Sequence, residues 1–261
     1  MNEMTNRGPN VVTATDNWDQ HWTDFAETPD YSPAVAYRRR VIKRMLAMNG
    51  AGQGRRLIEL GCGSGQFARE FCPQFPEARF LGLDISDAGI QQARRQTPRA
   101  QFEVCNLLEP VTGKSIRDFR ATDAICSEVL EHVDEPKRIL ENAAAAMAPG
   151  CRLLVTVPGG PMNKFDKHIG HRRHYRPQEL RDLLTAAGYL VEKTAGFGFP
   201  FHNLYRLVLW IGGSSVVDVA SGPPSWTLQL GFHVFDTLCR LNVDCWGWQT
   251  IAIARWPGPG L

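Results

Sequence analysis

The stretch Glu59-Leu60-Gly61-Cys62-Gly63-Ser64-Gly65 joins a short apolar run, Arg56–Leu60, to an amphipathic run, Gln66–Phe75. The first run has the composition of a β-strand and the second has the periodicity of a helix. Glycines at alternate positions let the backbone turn sharply and leave space for a ligand against it. A dinucleotide-binding turn would place its third glycine one residue later, and a P-loop would continue with lysine. The stretch therefore predicts a strand–turn–helix that binds a ligand of another kind.

Acidic residues at the ends of the first two predicted strands narrow the class of that ligand. Glu59 would repel a phosphate, but it suits a ligand with a cationic amino-acid portion. The second apolar run, Arg79–Leu83, leads into Asp84, whose carboxylate can accept a hydrogen bond from each of two ribose hydroxyls. Ile85 follows and can pack against an adenine ring. These residues predict a site for a positively charged nucleoside.

The rest of the chain continues the alternation of strands and helices. After the third run, Gln101–Val104, Asn106 offers a side-chain amide to the adenine edge, and Leu107 follows it. Further strands are predicted over 124–127, 152–157, 189–195 and 249–255, and helices over 88–96, 135–147 and 177–187. Strands separated by helices predict an α/β fold, in which a parallel sheet has helices on both faces.

This pattern resembles the class I S-adenosylmethionine-dependent methyltransferases, particularly the type 11/12 group. The similarity runs from about Arg55 to Ala195, and it includes Asp123–Val133 after the fourth strand and Met147–Cys151 before the fifth. The family usually has aspartate where this chain has Asn106, and glycine where it has Cys151. The resemblance implies a Rossmann-like, seven-stranded and mostly parallel sheet whose last strand is antiparallel, here with a helical insertion between strands 6 and 7.

The resemblance also implies an enzyme that uses S-adenosylmethionine as its cofactor. Because methyl transfer from a sulfonium depends mainly on alignment of the reactants, the lack of an evident catalytic triad does not exclude this activity. A small-molecule acceptor is expected, with oxygen favoured over nitrogen or carbon as the methylated atom. The residues implied to bind the cofactor are Glu59, Gly61, Gly63, Gly65, Asp84, Ile85, Asn106, Leu107 and Ser127.

A second motif, Glu128-x-x-Glu131-His132, follows the fourth predicted strand. Positions i, i+3 and i+4 of a helical turn share one face, so two carboxylates and an imidazole would converge. The motif is similar to the metal-binding Glu-x-x-Glu-His of the ubiquinone-pathway O-methyltransferases and of the plant small-RNA 2′-O-methyltransferases. The resemblance implies a divalent metal ion held by Glu128, Glu131, His132 and His171, with Glu128, His132 and His171 as the catalytic candidates and His168 and His174 as alternatives to His171. The other interpretation is that Glu131 and His132 only pack and hydrogen-bond beneath the cofactor.

The segment from Lys164 to Arg176 carries five basic residues and one acidic residue. In the resembled family the loop after the fifth strand faces the substrate. Arg172, Arg173, His174 and Tyr175 are therefore predicted to bind an acceptor that has an apolar body and an anionic or polyol end. A solvated basic loop is the alternative.

The chain divides into five parts: a flexible tail over 1–17, an N-terminal helical lid over 18–50, the cofactor-binding core over 51–197, a helical insertion over 198–248, and the last strand with a tail over 249–261. Two segments of the insertion, 203–211 and 226–241, place apolar residues at helical spacing. They predict a cap over an apolar acceptor pocket, a homodimer surface, or an element that contacts a membrane surface.

The composition disfavours several classes of partner and location. A net charge of +2 without a broad basic surface argues against a nucleic acid partner. Seven scattered cysteines without a Cys-x-x-Cys pair, and a polar N-terminus, predict a cytoplasmic protein. No apolar run reaches the roughly 20 residues that a transmembrane helix needs. Two other functions stay open, which are RNA 2′-O-methylation and a catalytically silent, cofactor-binding interaction subunit.

Overall fold

The computed structural model describes residues 17–24, 33–47, 54–212, 226–243 and 245–259. Seven strands form one sheet: β1 (Arg56–Leu60), β2 (Arg79–Asp84), β3 (Gln101–Val104), β4 (Ala121–Ser127), β5 (Met147–Pro158), β6 (Leu190–Phe197) and β7 (Gln249–Arg255). Their order in the sheet is β3-β2-β1-β4-β5-β7-β6. The neighbours among β1 to β5 are parallel, whereas β7 is antiparallel to both β5 and β6. The predicted Rossmann-like sheet with an antiparallel last strand is confirmed.

Ten α-helices of the described residues surround this sheet: α1 (Trp18–Asp24), α2 (Pro33–Ala47), α3 (Gln66–Gln74), α4 (Asp87–Gln96), α5 (Lys114–Arg117), α6 (Pro136–Ala143), α7 (Lys164–His168), α8 (Pro177–Ala186), α9 (Phe201–Gly212) and α10 (Trp226–Leu238). Short 3-10 turns follow at Leu130–His132, Ala144–Ala146 and Cys239–Leu241. No helix in the described ranges has the length and apolarity that a membrane span requires.

The helices cover both faces of the sheet because successive strand residues point to opposite faces. In β1, Leu57 packs in a core with side chains of α2, α3 and α4, such as Phe71. The next residue, Ile58, packs on the other face with side chains of α5, α6 and α8, such as Leu140. All of these side chains are almost completely buried. A strand apolar on both faces is what a parallel sheet between two helical layers requires.

Several boundaries differ from the sequence predictions. The N-terminal helical pattern after Trp18 forms two helices, α1 and α2, and residues 25–32 lie outside the described part. The helix predicted over 135–147 ends at Ala143, because Met147 already pairs with Ala121 as the first residue of β5. The predicted tail lies outside the described residues except for its last residue, Asn17.

The insertion between β6 and β7 is helical, as predicted, and we call its described part the cap: α9, α10 and the turn Cys239–Leu241. The two ends of the insertion meet beside the sheet. Val243 donates its N–H to the carbonyl of Phe199 at 2.8 Å, and Gly198 donates its N–H to the carbonyl of Val243 at 3.1 Å. A short antiparallel bridge thus closes the base of the cap.

Candidate active site

The glycine turn lies at the carboxyl end of β1. Gly61, Gly63 and Gly65 have φ angles of 72°, 52° and 80°, a region that residues with a side chain rarely adopt. The N–H groups of Gly61 and Cys62 donate to the carbonyl of Leu83 at 2.8 and 2.9 Å, which fastens the turn to the end of β2. The alternate glycines are therefore required by the backbone conformation itself.

Replacing Gly65 with alanine is expected to lower the free energy of unfolding by about 2–4 kcal/mol. A Cβ there would lie 2.7 Å from the Ala93 Cβ and 3.0 Å from its Cα, so the left-handed backbone and a clash with α4 both cost stability. Gly150 is the matched control, since its φ is 81° but a Cβ would meet nothing within 4 Å. Urea unfolding should show a loss of only about 1 kcal/mol for Gly150→Ala; equal losses would contradict the close approach at Gly65.

Two buried carboxylates flank the glycine turn. Asp84 accepts the N–H of Gly63 at Oδ2 (2.8 Å) and the N–H of Ser86 at Oδ1 (2.9 Å), and each oxygen keeps a further lone pair that fits a ribose hydroxyl. The Glu59 side chain is almost fully buried, and its Oε2 has no hydrogen-bond partner among the described residues. Burial and the nearby Asp84 raise the pKa of Glu59 well above its ordinary value. A buried carboxyl of this kind fits the ammonium group of an amino-acid ligand.

The other predicted cofactor residues lie at the same edge of the sheet. Ile85 is 49% exposed, as a surface for a ring requires. The Oδ1 of Asn106 accepts the N–H of Leu108 at 3.0 Å, so the side-chain NH₂ is the group it can offer to a ligand. Leu107 is buried beside it, and Ser127 ends β4 with its hydroxyl 2.8 Å from that of Thr156. The predicted set therefore follows the carboxyl ends of four neighbouring strands.

Helix α1 lies across this edge, in the segment predicted to form a lid. Asp19 accepts hydrogen bonds from the Ser86 hydroxyl (2.7 Å) and the Ala88 N–H (3.1 Å), which fixes α1 to the start of α4. The indole of Trp22 lies so close to Gly63 that any side chain on that glycine would overlap it. Trp18 meets the ring of His132 edge-on, with 4.9 Å between centroids. Helix α1 thus connects the glycine turn with the second predicted motif.

Glu128 begins the turn after β4 in a strained conformation. Its φ is +57°, which is unfavourable for a residue with a side chain and is often found at functional sites. Its carboxylate accepts a hydrogen bond from Gln249 at 2.6 Å and lies 3.6 Å from the Arg38 guanidinium. Gln249 is the first residue of β7, and nothing in the sequence pattern marked it as a site residue.

Glu131 lies at the centre of the candidate site. Its side chain is fully enclosed, and neither carboxylate oxygen has a hydrogen-bond partner among the described residues, although Oε1 lies 3.9 Å from the Nε2 of His132. Burial, together with the Glu128 carboxylate, raises the pKa of Glu131 well above its ordinary value. One ligand atom each from Glu131, His132 and His171 lie within 4.8 Å of one another. Of the four predicted metal ligands, the structure brings these three together, while Glu128 turns toward Gln249.

Hydrogen bonds fix which nitrogen of His171 carries a proton. The Nδ1 of His174 lies 2.9 Å from the carbonyl of Gly160, which can only accept, so this nitrogen is protonated. Burial lowers the pKa of His174, so its Nε2 is bare and accepts the Nδ1–H of His171 at 3.1 Å. Burial also lowers the pKa of His171 to about 2, with a further contribution from His132. His171 is therefore a neutral imidazole whose bare Nε2 is available to a ligand or metal ion.

The cap contributes two residues that the sequence analysis missed. Arg206 of α9 binds the fully buried Asp166 at 3.0 and 3.1 Å, and Asp166 also accepts the N–H of Asn163. His202 is 1% exposed, and neither ring nitrogen has a hydrogen-bond partner among the described residues. Burial, with Arg38 and Arg206, lowers the pKa of His202 to about 3. Helical periodicity placed Arg206 on the first predicted helix of the insertion, whereas His202 precedes the predicted start at 203; only the folded cap shows that both face inward.

The predicted substrate residues separate into two groups. Arg172 pairs with Asp134, and Arg173 donates to the carbonyl of Asp134 at 3.2 Å. Tyr175 is buried and donates its hydroxyl to the carbonyl of Leu130 at 3.1 Å. These three residues hold the loop after β5 against the turn after β4. His174 instead contacts a candidate metal-binding side chain, since its Nε2 lies 3.1 Å from the Nδ1 of His171.

Comparisons with known proteins agree with this geometry. A family model described as a methyltransferase domain matches residues 34–194, which is more than half of the chain. The chain is 25% identical over 236 residues to a trans-aconitate 2-methyltransferase of Delftia acidovorans, covering 78% of this chain and 86% of the relative. It is 30% identical over 175 residues to a ubiquinone biosynthesis O-methyltransferase of Coxiella burnetii, covering 59% of this chain and 72% of the relative.

A solved structure supports the fold. The N-methyltransferase NodS from Bradyrhizobium japonicum, in complex with S-adenosyl-L-homocysteine, matches with a TM-score of 0.57 and 15% identity over 93% of this chain and all of that one. At this identity the similarity supports the fold alone. The family assignment rests instead on the family model, whose matched stretch includes the glycine turn and both flanking carboxylates. The chain belongs to the methyltransferase domain family and is an S-adenosylmethionine-dependent methyltransferase.

Proposed function

We propose that the protein methylates an oxygen of a small-molecule acceptor, with help from a divalent metal ion. The acceptor would bind where the turn after β4, the loop after β5 and helix α9 meet. The two relatives described above support this proposal. The name of the first specifies trans-aconitate, a small organic acid, as its substrate, and the name of the second specifies O-methylation.

The observation that carries the proposal is the enclosed carboxyl group of Glu131. Leaving a buried polar group without a partner costs roughly 1–3 kcal/mol, so a fold retains one only where something compensates it. A metal ion bound by Glu131, His132 and the bare Nε2 of His171 fits this donor set of one carboxylate and two imidazoles. Glu128 is the remaining predicted ligand, and it begins the same turn in a strained conformation.

The residues of the chain supply binding and alignment. Glu59 and Asp84 fix the two ends of the cofactor, whose sulfonium supplies an activated methyl group. A metal ion at Glu131 would lower the pKa of an acceptor hydroxyl. His174 keeps the Nε2 of His171 unprotonated, and α1 excludes water from the edge of the sheet. Holding the reactants in line is worth roughly 7–11 kcal/mol of the barrier.

Methyl transfer from labelled S-adenosylmethionine to a panel of organic acids, catechols and amines tests this proposal. Transfer to oxygen acceptors is expected, with activity lost after EDTA treatment and restored by a divalent cation. The Glu131→Gln variant should stay inactive after the same cation is added. Transfer confined to amines would contradict the oxygen acceptor, and full activity in EDTA would contradict the metal ion.

His202 is proposed to bind the polar end of the acceptor. It is a neutral imidazole, so it offers one donor and one acceptor, and both are without partners in the enclosed space near Arg38 and Arg206. A hydroxyl or carboxylate of the acceptor can satisfy the donor. Replacing His202 with leucine should therefore raise KM for the acceptor about tenfold while leaving kcat nearly unchanged. Phe232, which lies in the same cap sequence, provides a control through Phe232→Leu.

The same His202→Leu variant should be more stable than the wild type in acid. Since the folded pKa of His202 is about 3 and the ordinary value is 6.5, the unfolded chain binds the extra proton between these pH values. His202 therefore contributes stability that is lost as pH falls below 6.5, by about 2 kcal/mol at pH 5. Thermal unfolding at pH 5 and pH 8 should show a larger gain for the variant at pH 5. A lower melting temperature at both pH values would instead assign His202 a structural role.

A further inference from the structure

Two arginines and a histidine from different helices converge near Glu131. His202 and Arg206 are four residues apart on α9, so their side chains lie on the same face of that helix. Arg38 of α2 reaches the same region, because the ring of its neighbour Tyr37 lies 5.6 Å from that of His202. Burial has the largest effect on the pKa values of His202 and Glu131, and Arg38 and Arg206 lower both of them. We call Arg38, His202 and Arg206 the arginine–histidine cluster.

Each member of the cluster keeps hydrogen-bond donors that no described residue accepts. Arg38 is largely buried, and its ionic contact with Glu128, at 3.6 Å, is too long for a hydrogen bond. Arg206 binds Asp166 through its Nη2, which leaves its Nη1 and Nε groups without a partner among the described residues. The buried His202 uses neither ring nitrogen within the described ranges. Because burying such donors without partners costs free energy, we expect them to bind an acceptor group from outside the chain.

The cluster borders the candidate metal ligands. Through Glu128, Arg38 lies next to the turn after β4. Through Asp166, whose Oδ1 lies 3.9 Å from the Nδ1 of His171, Arg206 lies next to the loop after β5. A group bound by the cluster would therefore lie beside the reacting end of the methyl acceptor.

The carboxylate of the cofactor fits the cluster less well. The amino-acid end of the cofactor is expected at Glu59, whose pKa is raised by burial and by Asp84 and lowered by Arg39. Arg39 follows Arg38 in α2, and successive residues of a helix point about 100° apart. Arg39 thus faces the cofactor end, whereas Arg38 faces Glu128.

The charges of this region call for one further negative charge. Arg38 is opposed by Glu128, and Arg206 is opposed by Asp166. The proposed metal ion would bring two positive charges and only the Glu131 carboxylate to offset them, because histidine ligands bind metal as neutral imidazoles. A single carboxylate neutralises the remaining positive charge, whereas an uncharged polyol does not.

We propose that the arginine–histidine cluster binds a carboxylate of the methyl acceptor, so that the substrate is a carboxylic acid methylated at another oxygen. The inference rests on the proposed function, for which it names the class of acceptor. A guanidinium donates parallel hydrogen bonds to both oxygens of a carboxylate, and His202 adds a further N–H. Arg172 and Arg173, to which the sequence pattern gave this role, are instead bound to Asp134.

Isothermal titration calorimetry of the full chain with matched probes tests this proposal without turnover. Protocatechuate and catechol form one pair, and trans-aconitate and its trimethyl ester form another; each pair differs only in its free carboxylates. With S-adenosylhomocysteine bound, the protein should bind at least one of the acids at least about tenfold more tightly than its uncharged partner. Arg38→Gln should remove most of this preference while changing the affinity for the uncharged partner less than about threefold. Arg44→Gln is the matched control, because Arg44 is exposed on the same helix.

Arg206 requires a double substitution, because its removal alone would leave the buried Asp166 without its counter-charge. Arg206→Gln/Asp166→Asn removes both charges together and should cause the same selective loss of affinity for the acid. Thermal unfolding shows whether this variant is folded. If it is not, the Arg38→Gln measurement decides alone, since Arg38 makes no hydrogen bond within the described residues.

Three results would overturn the proposal. The first is equal binding of the two members of each pair, and the second is no binding of either acid. The third is an Arg38→Gln variant that loses affinity for S-adenosylhomocysteine but not for methylthioadenosine, which lacks the amino-acid part, because Arg38 would then bind the carboxylate of the cofactor. The proposed function fails separately, since methyl transfer to nitrogen, or full activity in EDTA, would leave the measured preference for the acid unchanged.

Discussion

Replacement of Asp84 by asparagine is expected to weaken binding of S-adenosylhomocysteine by about two orders of magnitude, equivalent to about 3 kcal/mol. Both carboxylate oxygens of Asp84 accept backbone N–H groups, from Gly63 and Ser86. An amide has only one acceptor oxygen, so its NH₂ would face one of these N–H donors. The substitution also removes an acceptor for a ribose hydroxyl, and hydrogen bonds to a charged group are worth about 1.5–3 kcal/mol.

Isothermal titration calorimetry measures this loss directly. Asp87→Asn is the matched control, because Asp87 is exposed at the start of α4 and its carboxylate accepts a hydrogen bond from the exposed Gln91 side chain. The control should bind the nucleoside as the wild type does. Equal affinity of the Asp84 variant and the wild type would remove Asp84 from the cofactor site.

The second large effect concerns Glu131. Glu131→Gln should reduce kcat at least about 100-fold, since it removes the charged ligand of the proposed metal ion, whose stabilisation of the transition state is worth several kcal/mol. Binding of S-adenosylhomocysteine should change less than about threefold, because Glu59 and Asp84 remain. The metal-free variant should be about as stable as the metal-free wild type, because one buried polar group without a hydrogen-bond partner replaces another.

Thermal unfolding with and without a divalent cation separates this role from a purely structural one. The cation should raise the melting temperature of the wild type, by the equivalent of about 2.7 kcal/mol at 100 times the dissociation constant. It should leave the Glu131→Gln variant unchanged. Glu141→Gln is a control on the exposed face of α6, where Glu141 pairs with Lys137. A wild type that does not respond to any divalent cation would rule out the metal ion and leave the cofactor assignment intact.

The sequence predicts the fold because its decisive signals are local. The glycine turn needs its positive φ angles, and β1 needs apolar residues on both faces; both requirements are visible within a few residues. The same is true of Asp84, which directly ends β2. Residues that are close in the chain and meet at the carboxyl ends of parallel strands can be recognised without a structure.

The proposed acceptor site is harder to predict from the sequence, because its contacts join distant parts of the chain. Gln249 binds Glu128 across 121 positions, and Arg206 reaches Asp166 across 40. Charge, together with the place of the loop after β5 in the resembled family, favoured Arg172 and Arg173 as substrate ligands, but neither shows that Asp134 binds both. Partners that are distant in the chain follow from tertiary packing, and no short sequence pattern identifies them.

The placement of β7 between β5 and β6 has a consequence for how this enzyme could diversify. The insertion leaves the sheet at Phe197 and returns at Gln249, and these two residues are register partners in neighbouring strands. An insertion whose ends already meet can be lengthened, shortened or exchanged at little entropic cost, since the entropy lost on closing a loop grows only slowly with its length. Evolution can therefore replace the cap while the strands that carry the nucleoside site stay intact.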